Sequence, residues 1–392
     1  MIINNLFKLA HKFWLELQLG SPLFIQNAFI PHLHLVKEIL RLLANPYLTL
    51  YQWQELNEVD PLTVNYVGLG YAKTMLRERL FTNGSTEKEI GRIPFWQLEK
   101  LVNSPDSNIT IIELSKHLIH RFPHQMALIL PFRIQLTLDI RGEWSDVEKR
   151  FHRNVRRNAR KAREYGDYEF EVSYCEQDLE MFYHEMYLPT VYARHDKYAE
   201  ILPKNRAYQL LRHGCLFLLK RDGVHVCGSL AYIKSSLVDF KEMGVFNGDL
   251  GLMKQGVVEA MNYLRIRWAH QLGYKMLSFG DNWPFLSGVF QAKRKWGSRV
   301  SIPSYEHKRI WLRIQRNTPA VSEFLQNNPC VSSDEQGRLY GFIATSDFDT
   351  TTPEMKMGWC KLYATPGFTG LIVCSSQNLL IRYDVISCPT TE

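Results

Sequence analysis

No stretch of the 392 residues approaches about 18 apolar residues without a charge, so a transmembrane helix is not expected. The opening MIINNLFKLAHKFWLELQLG lacks both an uninterrupted apolar core and a small-residue cleavage site, so a signal peptide is not expected either. Cysteine is scarce. Cys175, Cys215, Cys227, Cys330, Cys360, Cys374 and Cys388 are odd in number, and no pair has a short metal-ligand spacing. A disulfide framework or zinc site is therefore not expected, and a reducing, cytoplasmic setting is. Internal repeats and low-complexity segments are missing. No serine or cysteine sits in a recognisable nucleophile motif, which argues against a covalent enzyme intermediate.

What remains has the profile of a globular chain, 45% apolar and 22% charged. The length suggests two domains, or two plus an appendage. Charge is concentrated in one place. Between Glu148 and Glu164 eight Lys or Arg stand against two Glu, a net +6 of the chain's total +7. Such a patch attracts anions locally, whereas a protein that coats nucleic acid spreads its charge more widely.

The first 144 residues mix patterns. Leu33–Ala44 reads as helix, with Leu35, Ile39, Leu42 and Leu43 on one face and Pro46 as its stop. Phe95–Val102 is a short helical pattern, and Ile109–Leu114, Met126–Leu130 and Ile134–Ile140 read as strands. Ser145-x-x-Glu148 then forms a capping box that opens one helix. Its thin apolar stripe is Val147, Phe151, Val155, Ala159 and Ala162, and Gly166 ends it. Arg153, Arg156, Arg157, Arg160, Lys161 and Arg163 cover the remaining faces. Strands follow at Cys215–Arg221, Val224–Ile233 and Leu237–Phe246, with Asp222-Gly223 as a hairpin turn. The loop Asn247-Gly248-Asp249-Leu250-Gly251 leads into a helix running to about Leu272, with Val257, Met261, Leu264 and Trp268 on one face. Gly273 stops it, and Lys275–Phe279 is a further strand. Beyond Arg316, Leu339–Thr345 and Leu371–Ser375 read as strands among turn-rich stretches such as Thr350–Pro353.

Three antiparallel strands, a loop into a helix, then a strand is the central order of the GNAT acyltransferase fold. Arg157-Asn158-x-Arg160-Lys161-Ala162, followed by Gly166, resembles the basic helix of the FemAB-like acyltransferases. That group includes the peptidoglycan bridge aminoacyltransferases and the acetyltransferases related to exopolysaccharide proteins. Phe182-Tyr183, Thr190 and Arg194 resemble a second motif of that family, and Lys293-x-x-Trp296-Gly297 its terminal one. The resemblance covers about residues 145–300. It implies a mixed α/β (α+β) fold: a mostly antiparallel GNAT-like sheet flanked by helices, usually preceded by a degenerate GNAT-like half. The expected divisions are 1–144 for that half, 145–315 for the acyltransferase domain and 316–392 for a small β-containing appendage. There are departures. Ala292 replaces the aromatic residue that usually precedes the lysine, and the long charged helical hairpin of the tRNA-dependent members is missing.

The resemblance implies transfer of an acyl or aminoacyl group from a phosphate-bearing carrier to an amine. Acyl-CoA is the first choice of co-substrate and aminoacyl-tRNA the second; the acceptor is a small-molecule or cell-envelope amine. In a GNAT-like fold the helix after the third strand offers free amides to the pyrophosphate. Here those belong to Gly251, Leu252 and Met253, with Lys254 nearby, although the same glycines also suit a tight connection. Glu242 is the first candidate for the base that deprotonates the amine. Strand alternation puts it with Val238, Phe240 and Phe246, and burial among aromatics raises a carboxyl; the other reading pairs it with a neighbouring cation. Asp239 and Lys241, on the opposite face, read as a structural pair. Asp281 either holds the acceptor amine or caps the Gly280-Asp281-Asn282 turn. Arg194, with His195, and Lys293 either contact an anionic group or are solvated charges. Arg157, Arg160 and Lys161 belong to a run whose mutual repulsion an anionic ligand would relieve. The rival reading is a non-catalytic protein that docks nucleic acid or another anionic partner through this helix.

Overall fold

The computed structural model describes residue 36 and residues 40–388, apart from 57–60, 82–83, 103–105, 120, 124–126, 166–167, 196–200 and 377–382. Residues 36 and 40–44 are helical; the rest of the expected 33–44 helix lies outside the described residues. The fold is mixed α/β, with three mostly antiparallel sheets. The first has the order β3-β1-β2-β4-β13-β5, from β1 (Tyr47–Glu55), β2 (Thr63–Gly68), β3 (Ser85–Pro94), β4 (Ile109–Ser115), β5 (Ala127–Pro131) and β13 (Lys308–Ile314). The second runs β12-β6-β11-β10-β9-β8-β7. It comprises β6 (Ile134–Asp139), β7 (Tyr168–Ser173), β8 (Gly214–Arg221), β9 (Val224–Lys234), β10 (Leu237–Val245), β11 (Met276–Asn282) and β12 (Arg299–Ser301). The third is β14 (Cys330–Ser333), β15 (Leu339–Thr345), β16 (Phe368–Ser375) and β17 (Tyr383–Ile386), in that order.

The sheets do not follow sequence blocks. β6 precedes residue 145 yet pairs with β11 and β12 in the second sheet. β13 precedes residue 316 yet lies between β4 and β5 in the first. Each sheet contains the same succession of relations: antiparallel, then parallel, then antiparallel, along β1-β2-β4-β13 and along β9-β10-β11-β6. The described residues beyond 316 include the third sheet, which packs on the first. Cys330, Phe342, Ala344 and Cys374 lie in one apolar cluster with Trp53, Tyr66 and Ile310 of the first sheet.

The β8–β9 hairpin turns at Asp222 and Gly223 with φ of 52° and 74°, the left-handed pair that a two-residue turn requires. The single basic helix expected from Ser145 onward is two helices, Trp144–Lys149 and Arg153–Tyr165. The capping box does not form. Glu143 is the N-cap, without a side-chain bond. The break between the helices has a tertiary cause. Phe151 turns inward against Trp296 with ring centroids 5.2 Å apart, and the His152 amide donates to Lys295 O at 2.7 Å. Gly297 has φ +73°, and a Cβ there would lie 2.7 Å from Arg150 O. The Lys293-x-x-Trp296-Gly297 motif is thus what the basic segment folds around. Burying Phe151 and Trp296 contributes about 2 kcal/mol or more apiece.

The helix expected from the glycine loop to Leu272 is also two, Leu250–Lys254 and Val257–Gln271, broken at Gly256 with φ +88°. Val155 and Ala159 of the basic helix share a core with Val257, Met261 and Ile266 of the longer one. Phe182–Tyr187 is a π-helical turn between helices Glu176–Met181 and Leu188–His195. It lies directly on the sheet, because a Cβ at Gly244 would come 2.4 Å from the Met186 backbone. Several helices were not foreseen, among them Lys73–Leu80, Lys204–Arg212 and two near the end of the chain. Pro319–Asn327 and Pro353–Tyr363 each start with a threonine cap, whose hydroxyl accepts from Val321 N and Met355 N, followed by proline at the first helical position. Among the described residues no helix is long and apolar enough to cross a membrane.

Candidate active site

β10 and β11 are parallel partners over only three positions, Leu237↔Met276, Val238↔Leu277 and Asp239↔Ser278. β10 then continues with β9 as far as Val245↔Cys227, and β11 continues with β6 at Asp281↔Gln135 and Asn282↔Ile134. Between them the sheet splits. The cause is a pair of irregularities: the β9–β10 register shifts around Lys241, and the β11–β6 register shifts between Ser278 and Asp281. Bulges of this kind bend a strand and end its pairing. The corresponding pair in the first sheet, β2 and β4, holds over five positions from Val64↔Ile109 to Gly68↔Glu113. There the buried Glu113 carboxyl accepts from Tyr66 OH at 2.5 Å and from Ala72 N at 2.9 Å. The first sheet keeps its parallel pairing further along the strands than the second does.

The bulge alters the expected placement of Glu242. Phe240 pairs with Ala231 and Glu242 with Leu230. Consecutive β9 residues point to opposite faces, so Glu242 lies on the face away from Phe240 and shares it with Asp239. Glu242 is half-buried. Asp239, 8% exposed, forms an ion pair with Lys241, whose side chain is 31% exposed. Burial opposes the Lys241 charge, but Asp239 and Asp281 together raise it above the ordinary lysine value. Asp281, beyond the parallel stretch of β11, accepts a hydrogen bond from Tyr305 OH. Burial, then Asp281, raise the Tyr305 phenol.

Lys293 joins this group. Its helix, Gly288–Arg294, places it half-buried within the influence of Asp281, Asp239 and Glu242. Burial lowers its ammonium to about 8, Arg265 pushes the same way, and the three carboxylates oppose them. Asp239, Lys241, Glu242, Asp281, Lys293 and Tyr305 therefore form one electrostatic group at the split. Two polar atoms near it, Asp239 Oδ1 and Arg265 Nε, are buried without a hydrogen-bond partner among the described residues. Such orphans are uncommon in a native interior.

The other candidates lie elsewhere. Gly251 N donates to Asp249 Oδ1 at 2.6 Å, so the first of the expected free amides is already capped by a carboxylate. The Leu250–Lys254 helix carrying Gly251, Leu252, Met253 and Lys254 is a single short turn, and Leu252 is buried. Arg157 and Arg160 are exposed along the basic helix, with Arg153 and Arg156. Arg194 is exposed near the end of its helix. The side chains of Lys161 and His195 lie outside the described residues. Thr190 is buried, and its Oγ1 accepts from Val245 N at 2.8 Å and donates to Val245 O at 3.2 Å. It secures the end of β10 beside the split.

Sequence reasoning missed Tyr305, Tyr232, Arg206 and Arg265. Tyr232 pairs across from Asp239 and feels Lys241 and Arg206. Arg265 is 5% exposed. It donates to Ser229 and Asn262, stacks over Phe240 at 3.7 Å, and is lowered to about 9 by burial. A signal for Arg265 was available: it stands four residues from both Met261 and Ala269, on a face the helix buries. Tyr305 comes from a loop distant in sequence and carries no local signal.

No protein-family model matches the chain, and no curated protein matches it. Solved structures similar to it include FemX, at 12% identity over 66% of this chain and 83% of that one, with a TM-score of 0.38. Another is L-PGS from Bacillus licheniformis, at 12% identity over 56% and 72%, with a TM-score of 0.34. A third is a GCN5-related N-acetyltransferase from Kribbella flavida, at 9% identity over 78% and 69%, with a TM-score of 0.27. At these scores the likeness bears on neither donor nor acceptor.

Proposed function

We propose that the chain is an acyltransferase that moves an acyl or aminoacyl group from a phosphate-bearing carrier to an amine by direct transfer. The observation carrying this reading is the split of a parallel strand pair after three positions, with an ionisable group gathered at its mouth. Beyond Asp239 no strand pairs with this edge of β10 among the described residues, and the edge can hydrogen-bond an extended carrier arm as it would an added strand. Glu242 takes the proton from the attacking amine, Asp281 with Tyr305 holds that amine, and protonated Lys293 faces the anionic part of the bound substrates. The reaction balances simply. The amine nitrogen bonds to the acyl carbon, the carrier leaves with the electron pair of the broken bond, and the amine proton passes to Glu242.

Acyl-CoA is the first carrier to try, since its extended arm suits a strand edge. Aminoacyl-tRNA is the second, and one observation favours it: Asp249 caps the helix end where a pyrophosphate would otherwise sit, while Arg153, Arg156, Arg157 and Arg160 stay exposed. The acceptor is a small-molecule or cell-envelope amine. The test is transfer of labelled acyl groups from both carriers to a panel of amines. Glu242→Gln should lower turnover by about 10²–10⁴-fold and leave carrier binding intact. Undiminished turnover would remove Glu242 from this role.

A further inference from the structure

The chemistry at the split gives residues 316–392 no task, yet they grip the helix that carries Lys293. Arg294, its next residue, donates from Nη1 to Ala364 O and from Nη2 to Lys361 O, both at 2.8 Å. These carbonyls lie at and just past the end of the Pro353–Tyr363 helix, where a helix presents partial negative charge to a cation. Gln291 Oε1 accepts from Arg294 Nε at 2.7 Å and fixes the fork. On the same side Phe290 stacks on Phe368 with centroids 6.2 Å apart, and Val300 N donates to Pro366 O at 2.8 Å.

The Pro353–Tyr363 helix also packs through Tyr363 on a cluster that includes Phe290 and Val300. None of its residues is fully buried; Trp359, Cys360 and Tyr363 only partly cover Ile343, Leu371 and Val373. Two links run to the last strand segment: an ion pair of Lys356 with Asp384 at 2.6 Å and a disulfide between Cys360 and Cys388. Cys360 stands one residue before Lys361, whose carbonyl Arg294 grips. The covalent bond therefore acts on the same helical turn as the guanidinium.

We propose that the Pro353–Tyr363 helix and the segment just after it form a disulfide-locked brace for the Lys293 helix, with Arg294 as its positioning residue, so that a dithiol that reduces Cys360–Cys388 loosens the site. Its consequence for transfer rests on the acyltransferase reading above; the brace itself does not. Two electrons and two protons from the dithiol convert the disulfide to two thiols, and the dithiol closes to its own disulfide.

The test follows the titration of Lys293 in the full chain by competitive lysine acetylation across pH, read by mass spectrometry, before and after dithiothreitol. Asp281, Asp239, Glu242 and Arg265 are the charged groups that act on it. In the oxidised chain its midpoint is expected near about 8. Reduction should move that midpoint up by roughly one unit or more, as solvent reaches the ammonium. Arg294→Gln should produce the same rise without reductant, and dithiothreitol should add nothing to it. If that variant fails to fold, reduction of the unaltered chain decides alone. A midpoint that stays put while both thiols become alkylated would overturn the brace, as would thiols that alkylate without reductant. A midpoint that moves in a chain showing no transfer in either redox state would leave the brace standing and remove the acyltransferase reading.

Discussion

At Lys293 burial and charge pull in opposite directions. Its ordinary value of 10.5 falls to about 8 in the folded chain. Above both values the lysine is neutral in the folded and the unfolded chain. Between them the unfolded chain binds more protons, so stability rises with pH; below about 8 the full cost of the buried ammonium is present. Lys293→Met should therefore stabilise the protein at pH 7, by on the order of 1–2 kcal/mol, and the gain should fade as the pH approaches 10.5. Urea unfolding at several pH values checks this; a variant less stable than the parent at pH 7 contradicts it. The same substitution should abolish transfer. Lys293 was legible as a candidate from its motif, but not its burial, since Lys293-Arg294-Lys295 reads as a solvated run. Glu242 was legible as a strand carboxylate. Its face was not, because a bulge at Lys241 leaves no mark on apolar–polar alternation.

Among the elements, β10 carries the site and its far end needs an anchor. Thr190 supplies it by serving both backbone groups of Val245. Thr190→Val keeps the shape and removes the hydroxyl. Two backbone groups beside the split then lose their partner, at a cost of about 1–3 kcal/mol. Urea unfolding should show that loss, and unchanged stability would mean that water replaces the hydroxyl. Elements set by local chemistry were readable. The Asp222-Gly223 hairpin, strands β8 to β11 and the stop at Gly273 form close to where their residues place them. The first helix break was not readable, because its cause is tertiary, at Trp296 and Gly297; the second falls at Gly256, left-handed at φ +88°, a local signal set within an otherwise continuous apolar pattern. The helices at Pro319 and Pro353 did carry a local signal, a threonine followed by proline.

For the whole molecule, the exchange of strands is the feature that sequence blocks hide. β6 reads as a strand in the sequence and β13, with three cations in Lys308–Ile314, does not; only long-range pairing assigns each to the other sheet. A fragment ending at residue 144 contains β1 to β5 but lacks β13, which separates β4 from β5. It should show no cooperative urea transition, whereas the full chain should. A cooperative fragment would contradict the role given to β13. The disulfide Cys360–Cys388 is a single pair in a chain whose odd cysteine count led to no disulfide framework being expected. Cys360 lies on the Pro353–Tyr363 helix and Cys388 just past β17, so contacts between separate elements bring the two together.

The central claim is that the split between β10 and β11 receives the arm of an acyl carrier. Hydrogen exchange of the full chain, titrated in turn with acetyl-CoA, a long-chain acyl-CoA and aminoacyl-tRNA, tests it most directly. At least one carrier should slow exchange about tenfold or more in residues 240–245 and 279–282. Unchanged exchange there with all three, or protection confined to the basic helix at 153–165, would contradict it and leave a protein that binds anions without transferring an acyl group.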